Sequence, residues 1–452
     1  MMRILICTFF IVLLSVTGYS QKLLNLEEAV NIALQRNTQL QKTVNSIDSY
    51  QSNVKTAYGA LLPTLGLQGN WQWSRSETKG GLFPLPNGGF ISLPDIKIVS
   101  ETRSYNVGAG TNWTLFDGLS NLATVSQSKN NLESAQLSLS RLKQTIVYQT
   151  ISNYYDVINA GELLKVKEED VKWNQKNFET INERNKLGAV TLADVYAQQV
   201  KVGNAELAVI QAKNSLETAK SNLLYYLGLD VLDSYNFSDS LSQSDKDIIE
   251  RHVDSNYQNL SDLVSKSLST RYDYQSAKLS LESALNAITI ARGGYFPNLI
   301  NSNSFYTYSD QPNTLFQNRN YTVALTLNVP IFSGFSTENR VELAQVGAMN
   351  SKADLSDLER DIKRNIQKTY LDLQAAEKSL DVSKGNVAAA EESRRIQQEK
   401  YALGSSTLLD VLVANSDYLT AETNLINAEY AYIVLSEQVK YQLGILDYNK
   451  YE

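Results

Sequence analysis

Residues 119–186 contain no proline and one glycine, Gly161, and the run is rich in Ala, Leu, Ser, Gln, Asn, Lys and Glu. A segment of this length and composition is expected to form a single helix about 100 Å long, because nothing in it interrupts the backbone hydrogen-bond ladder. A shift of 216 positions carries the span onto residues 335–402, which is equally long. Leu132, Ala135, Leu139, Leu142 and Ile146 advance by steps of three and four, and Ala348, Ser351, Leu355, Leu358 and Ile362 keep that phase. So narrow an apolar stripe is a coiled-coil seam rather than the broad face of a globular core. Helices of this length lie far beyond the globular range, and the doubled frame predicts one architecture built twice.

The same 216-residue shift carries LGAVTLADV at 187–195 onto LGSSTLLDV at 403–411, Phe116-Asp117-Gly118 onto Phe332-Ser333-Gly334, and Leu227-Gly228 onto Leu443-Gly444. After each LG turn a shorter helical run returns, 191–227 and 407–443, and other short runs precede it at 26–61 and about 260–292. Each repeat reads as a long helix lying beside two short ones stacked end to end. The expected organisation is a first repeat over 21–230, a polar linker over 231–259 that holds the only histidine, His252, and a second repeat over 260–452. His252, alone in that linker, reads as a solvated surface residue.

Pro63 in ALLPTL and Pro297 in GYFPNL end the first short run of each repeat, and beyond them the hydrophobic period changes to two. Leu65, Leu67, Trp71 and Trp73 alternate with Gln68, Asn70, Gln72 and Ser74; Tyr105, Val107, Ala109, Trp113 and Leu115 alternate with polar residues, as do Tyr321 to Ile331. A fourth strand, Leu299 to Tyr308, alternates less cleanly. Each strand has about the 9 to 11 residues that cross a bilayer obliquely. GGLFPLPNGGF at 80–90 reads as a surface loop, and the first repeat carries an 18-residue excess there, since 63 to 116 spans 53 positions but 297 to 332 only 35.

Residues 1–20 combine Arg3, an apolar run and the small residues Gly18 and Ser20, the pattern of a secretory signal peptide. Cys7 would leave with it, so neither disulfide nor lipid anchor is expected in the mature chain. The sequence holds 41 basic and 48 acidic residues; without Arg3 the balance is 40 to 48, a net charge of about −8, which disfavours a nucleic-acid partner. With no other apolar run near the ~20 residues of a membrane helix, entry into a membrane would have to be as strands. Four strands cannot close a barrel, and open edges in lipid cost several kcal/mol per unpaired group, so oligomerisation is expected. Two copies would give eight strands with a filled interior; three would give twelve around a hole, which the polar alternate residues favour.

These features, taken in order and doubled, resemble the TolC-type outer membrane efflux family: the ALLPTL and GYFPNL helix-to-strand joints, WTLFDG and VPIFSG at the strand-to-helix joints, and the repeated LG-x-x-T-x-x-D-V turns. The resemblance covers nearly the whole mature chain. It implies a mixed α+β membrane protein, a homotrimer whose twelve-stranded transmembrane β-barrel contacts outer membrane lipid and continues as a long periplasmic α-helical coiled-coil barrel. It also implies a periplasmic adaptor protein and an inner-membrane transporter as partners. The location it implies is the outer membrane of a Gram-negative-type bacterium, and the expected role is the exit duct of an efflux system, conducting small molecules passively. The same duct could instead serve type I protein secretion.

In such a trimer the LG turns ring the periplasmic entrance. Gly188 and Gly404 suit the left-handed position after a helix end, and Thr191 with Asp194, like Thr407 with Asp410, has capping-box spacing. Capping alone is a sufficient reason for these residues. The resemblance adds a gate in which Asp194 pairs with Tyr401 and Asp410 lines a cation-attracting constriction; Ser406 stands where the family's latch has an arginine, and Val413 where it has a second aspartate. Whether Asp410 faces the lumen is left open by spacing alone. Leu187, Gly188, Val190, Thr191, Leu403, Gly404, Ser405 and Thr407 present surface that an adaptor hairpin could cover, or serve turn chemistry only. Trp71, Trp73 and Trp113 fit membrane-interface girdles, against the plain alternative of strand propensity. No nucleophile, base or metal spacing points to an enzyme or to a cofactor. A different class, an exported coiled-coil spacer without a lumen, is disfavoured by the alternating strands.

Overall fold

The computed structural model of the chain describes residues 22–92, 97–237, 243–250 and 259–451. The leader expected at 1–20, with Cys7, and His252 lie outside the described residues. The chain runs β1 (Lys22–Leu24), α1 (Leu26–Arg36), α2 (Thr38–Gly59), β2 (Thr64–Lys79), β3 (Leu82–Pro84), β4 (Phe90–Ser92), β5 (Lys97–Phe116), α3 (Ser120–Lys186) and α4 (Leu192–Leu227). It continues through β6 (Tyr235–Phe237), α5 (Gln243–Glu250), α6 (Leu260–Thr270), α7 (Tyr272–Arg292), β7 (Asn298–Ser309), β8 (Arg319–Asn328), α8 (Ser336–Ala402) and α9 (Leu408–Gln442). This is a mixed α+β chain. Among the described residues no helix is long and apolar enough to cross a membrane.

The long helices α3 and α8 have 67 residues each. Both begin one position later than the composition suggests, because Leu119 and Phe335 take positive φ, 72° and 62°, and cannot be helical. The short runs expected at 26–61 and 260–292 are each two helices. Asn37 ends α1 by donating its N–H to Ala33 O and caps α2 by accepting the Gln39 and Leu40 amides on Oδ1. Arg271 divides α6 from α7 beside Asp273, which pairs with Arg271 at 2.5 Å and with Arg141 at 3.6 Å.

Two compact units divide the chain. One comprises the chain up to Gln41, Leu142–Thr270 and the part from Lys363 onward. Its core includes Ile146, Val147, Ile151, Leu223, Leu227, Ile433 and Leu443, all essentially shut off from solvent. The stretch expected as a plain polar linker is partly structured here: β6 pairs in parallel with β1, Lys22 facing Tyr235, and α5 is held by the 2.6 Å bond from Tyr155 Oη to the buried carboxylate of Asp245. Elements of three and eight residues are too short to leave a periodicity in a sequence.

The other unit comprises Lys42–Arg141 and Arg271–Ile362 and holds an all-antiparallel sheet of order β2-β5-β7-β8. The first hairpin is longer than expected, 16 and 20 residues in β2 and β5 against 12 and 10 in β7 and β8. Much of the 18-residue excess therefore extends the ladder, and the supposed loop at 80–90 contains the small hairpin β3–β4. β8 stops at Asn328, short of the expected Ile331. Beside the sheet, α3 meets α7 through hydroxyls: Ser276 Oγ lies 2.8 Å from Ser134 Oγ and 2.9 Å from Ser138 Oγ, and Ser283 Oγ donates to Asn131 Oδ1 at 2.6 Å. Small residues allow this close approach.

Candidate functional site: a two-faced sheet and two capped turns

Side chains directly opposite in a ladder share a face. Trp71 faces Tyr105, Leu67 faces Ala109, Ala109 faces Phe305 and Phe305 faces Tyr321, so the odd-numbered residues of all four strands form one surface as far as the register shift between Thr114 and Phe116, beyond which Phe116 faces Leu299. That surface is largely apolar and exposed, with Leu67 83 %, Val323 79 % and Tyr321 73 % accessible, and its polar members Thr111, Asn301 and Asn303 bond to one another, Asn303 Nδ2 donating to Thr111 Oγ1 at 3.1 Å and to Asn301 Oδ1 at 2.7 Å. The opposite surface carries Gln68, Asn70, Asn106, Asn112, Ser302 and Thr322. Exposure of such apolar surface to water would be costly.

The three tryptophans predicted as interfacial all lie on the apolar face. Thr64 faces Asn112, so Trp113 sits level with Pro63, ten positions from Trp73. Ten residues span about 33 Å along a strand, or about 25 Å after a ~40° tilt, the height of a membrane band between its aromatic girdles. Beyond Trp73 the same face becomes charged: Arg75 reaches Glu77 at 2.9 Å and Glu101 at 3.3 Å, and Lys97 reaches Glu77 at 2.7 Å. At the other end of the sheet, Trp113 Nε1 donates to Leu61 O at 2.9 Å and ties the strand to the end of the preceding helix.

The two LG turns belong to the other unit and close in the same way. Gly188 and Gly404 are left-handed, with φ of 74° and 75°, and the following amides of Ala189 and Ser405 reach back to Arg184 O and Lys400 O at 2.8 and 2.9 Å. Thr191 and Thr407 form complete capping boxes with Asp194 and Asp410. Asp194 Oδ2 accepts from Thr191 N at 3.0 Å and Oγ1 at 2.7 Å; Asp410 Oδ2 accepts from Thr407 N at 2.9 Å, Thr407 Oγ1 at 2.7 Å and Ser406 Oγ at 3.1 Å. Both carboxylates thus cap through one oxygen and keep the other available. Leu187 and Leu403 project into solvent, each 83 % accessible. Thr191→Ala and Thr407→Ala are each expected to cost about 1 kcal/mol of local helix stability. Faster amide hydrogen exchange in the turns, with sheet protection unchanged, is the corresponding measurement.

The hydrogen bonds from Thr407, first through its hydroxyl and then its backbone, and from Ser406 hold the Asp410 carboxyl below the usual carboxylate value. Its contribution is therefore complete above the ordinary carboxylate pKa and disappears only as pH falls through the lowered one.

Asp194 and Tyr401 make no hydrogen bond to each other within the chain. Tyr401 Oη is shielded from solvent and has no partner among the described residues, while the Arg184 guanidinium lies 4.9 Å from the centre of its ring. Sequence reasoning missed Arg184, which gives no local signal, and Asn185, whose Nδ2 braces the first turn on Val190 O at 2.8 Å. It also missed a buried polar seam joining α3, α4 and α9. Gln198 Nε2 donates to Asn174 Oδ1 at 3.1 Å, Asn174 Nδ2 to Asp170 Oδ1 at 2.9 Å, and Asn415 Nδ2 to Asp170 Oδ1 at 3.2 Å. Burial raises the Asp170 carboxyl, opposed by the bond from Asn415 and by Lys167. Among the described residues no cluster of His, Cys, Asp and Glu could hold a metal.

A family model described as outer membrane efflux protein matches residues 29–229 and 263–444. The chain is 21 % identical over 445 residues to the outer membrane protein TolC of Salmonella enteritidis, covering 96 % of this chain and 85 % of that one. It is 22 % identical over 452 residues to the proteases secretion protein PrtF of Dickeya chrysanthemi, covering 96 % and 91 %. The crystal structure of the Campylobacter jejuni CmeC outer membrane channel superposes with a TM-score of 0.79 at 17 % identity, over 94 % of this chain and 88 % of that one.

Proposed function

The chain belongs to the outer membrane efflux protein family, and on that premise we propose that three copies close into one exit duct through the outer membrane. The observation that carries this reading is the four-stranded sheet with one apolar face, one polar face and two open edges, β2 and β8. Strand directions alternate across β2-β5-β7-β8, so β8 of one copy meets β2 of the next in antiparallel sense, and the 10 residues of β8 find partners within the 16 of β2. Three copies give twelve strands, with the polar faces around water.

In this reading the halves 21–230 and 260–452 are a duplicated unit joined through 231–259, and α3, α4, α8 and α9 zip with their neighbours into a periplasmic cylinder. Asp194, Tyr401 and Asp410 gate its entrance. The exposed turns, Leu187, Gly188, Val190 and Thr191 with Leu403, Gly404, Ser405 and Thr407, receive an adaptor that couples the duct to an inner-membrane transporter. Trp71, Trp73 and Trp113 mark the membrane rims. The duct performs no chemistry, and cargo moves passively under the drive of the pump. The likeness to PrtF supports a second reading in which the same duct exports protein.

Purified protein in planar bilayers tests the proposal: discrete, cation-preferring conductance and a trimeric mass support it, whereas an ordered monomer that leaves bilayers silent rejects it in favour of a periplasmic spacer. Asp410→Asn preserves the cap geometry and is expected to remove most of the cation preference, read as reversal potential under a salt gradient; an unmoved potential would put the carboxylate outside the lumen. Tyr401→Phe removes a hydroxyl that has no partner among the described residues and is expected to raise conductance; unchanged gating would exclude that hydroxyl from the latch.

A further inference from the structure

The girdle tryptophans lie on the apolar face of the sheet, yet two aromatic rings lie on the other. Tyr306 and Tyr308 of β7 share the polar face, with ring centres 6.3 Å apart and planes inclined by 30°. Both rings are exposed. Asn320 Nδ2 donates to Tyr306 Oη at 2.7 Å and fixes the first ring from the neighbouring strand. Gly108 faces Tyr306 across the ladder, where a Cβ would come within 3.2 Å of Tyr306 Cβ and 3.1 Å of Phe305 O. The flank of that ring is therefore kept clear. Gln68 lies opposite Gly108 and Asn70 opposite Asn106, so amides border the pair.

The electrostatics of this surface are one-sided. Alternate residues of the polar face, Thr64 to Thr78, Thr102 to Thr114, Asn298 to Tyr308 and Asn320 to Asn328, include not one charged side chain. The charges of the same strands, such as Arg75, Glu77, Lys97 and Glu101, all lie on the opposite face. A charged solute would exchange its water for no counter-charge here. A neutral solute with a ring face would cover tyrosine surface, and its hydroxyls would meet amides that both donate and accept.

From this juxtaposition we infer that Tyr306 and Tyr308, bordered by Gln68, Asn70, Asn106 and Asn320, form a binding site for uncharged, polyhydroxylated ring solutes of the pyranoside type. The inference rests on the reading that this face lines the duct. In a trimer three such platforms ring the bore, and selection by charge falls to other parts of the channel.

Maltohexaose, a neutral linear glucan, is the probe. Added to the outer side of the protein in planar bilayers, it is expected to interrupt the current briefly at a frequency that rises with concentration. Tyr306→Ala/Tyr308→Ala should weaken this binding by about tenfold, the corresponding double phenylalanine variant should keep most of it, and Val107→Ala on the apolar face should leave it unchanged. A conducting channel that ignores maltohexaose, or whose interruptions survive the double alanine variant, overturns the inference while leaving the duct standing. Failure of the wild-type protein to conduct overturns both.

Discussion

Leu67→Arg is expected to keep the protein out of the outer membrane, while Gln68→Arg, one position along, is expected to be tolerated. Leu67 is 83 % accessible on the apolar face and lies about midway between the levels of Trp113 and Trp73, the proposed membrane rims; Gln68 occupies the polar face. An arginine at the bilayer midplane of a barrel costs about 2–4 kcal/mol per chain, and threefold symmetry would make that about 6–12 kcal/mol per channel, comparable to the whole stability of a folded domain. At position 68 the same side chain would stay in water and shift ion preference towards anions. Membrane fractionation with a trimer assay measures both variants. Normal assembly of Leu67→Arg together with failure of Gln68→Arg would mean that the faces are reversed and that the lumen has been assigned to the wrong side.

Gly293→Val is expected to abolish folding of the sheet-bearing unit. Where α7 ends, Gly293 packs against the turn that leads from β5 into α3: a Cβ on it would lie 1.8 Å from Ser120 Oγ and 2.9 Å from Asp117 O. The serine could rotate away only by giving up its 3.0 Å bond to Ile290 O, and the Asp117 carbonyl belongs to the backbone. Overpacking of that severity, with a lost hydrogen bond, falls in the range above about 4 kcal/mol. The contrast is Gly161, inside α3 with nothing within 4 Å of its added Cβ, where alanine is expected to stabilise by up to about 1 kcal/mol. Loss of trimer and rapid proteolysis of Gly293→Val beside normal yield of Gly161→Ala is the predicted pair; an assembled Gly293→Val channel would show that the joint has room the packing denies it.

Much of this architecture was legible residue by residue. Helix-favouring composition without proline over 119–186 and 335–402, bounded by Gly188 and Gly404, predicts two very long helices, and α3 and α8 fill those spans to within one residue. Thr191 with Asp194 and Thr407 with Asp410 declare their capping boxes through spacing alone, since both partners lie three residues apart. Pro63 and Pro297 mark the joints for the same local reason. Period-two alternation sorted Leu65, Leu67, Trp71 and Trp73 onto one face, and the register bears this out.

What the chain by itself determined is thus whatever depends on neighbours a few positions away: helix length, helix ends, strand alternation and the turns. Only the tertiary structure decided which remote residues meet. Arg184 lies over Tyr401, Ser276 meets Ser134 and Ser138, Gln198 donates to Asn174, Asn415 donates to Asp170, and Asn320 donates to Tyr306. These contacts span from 14 positions, between Tyr306 and Asn320, to 245, between Asp170 and Asn415. A hydrogen bond or ring contact depends on distances of a few ångströms between side chains, and periodicity carries no record of such distances until the backbone has folded.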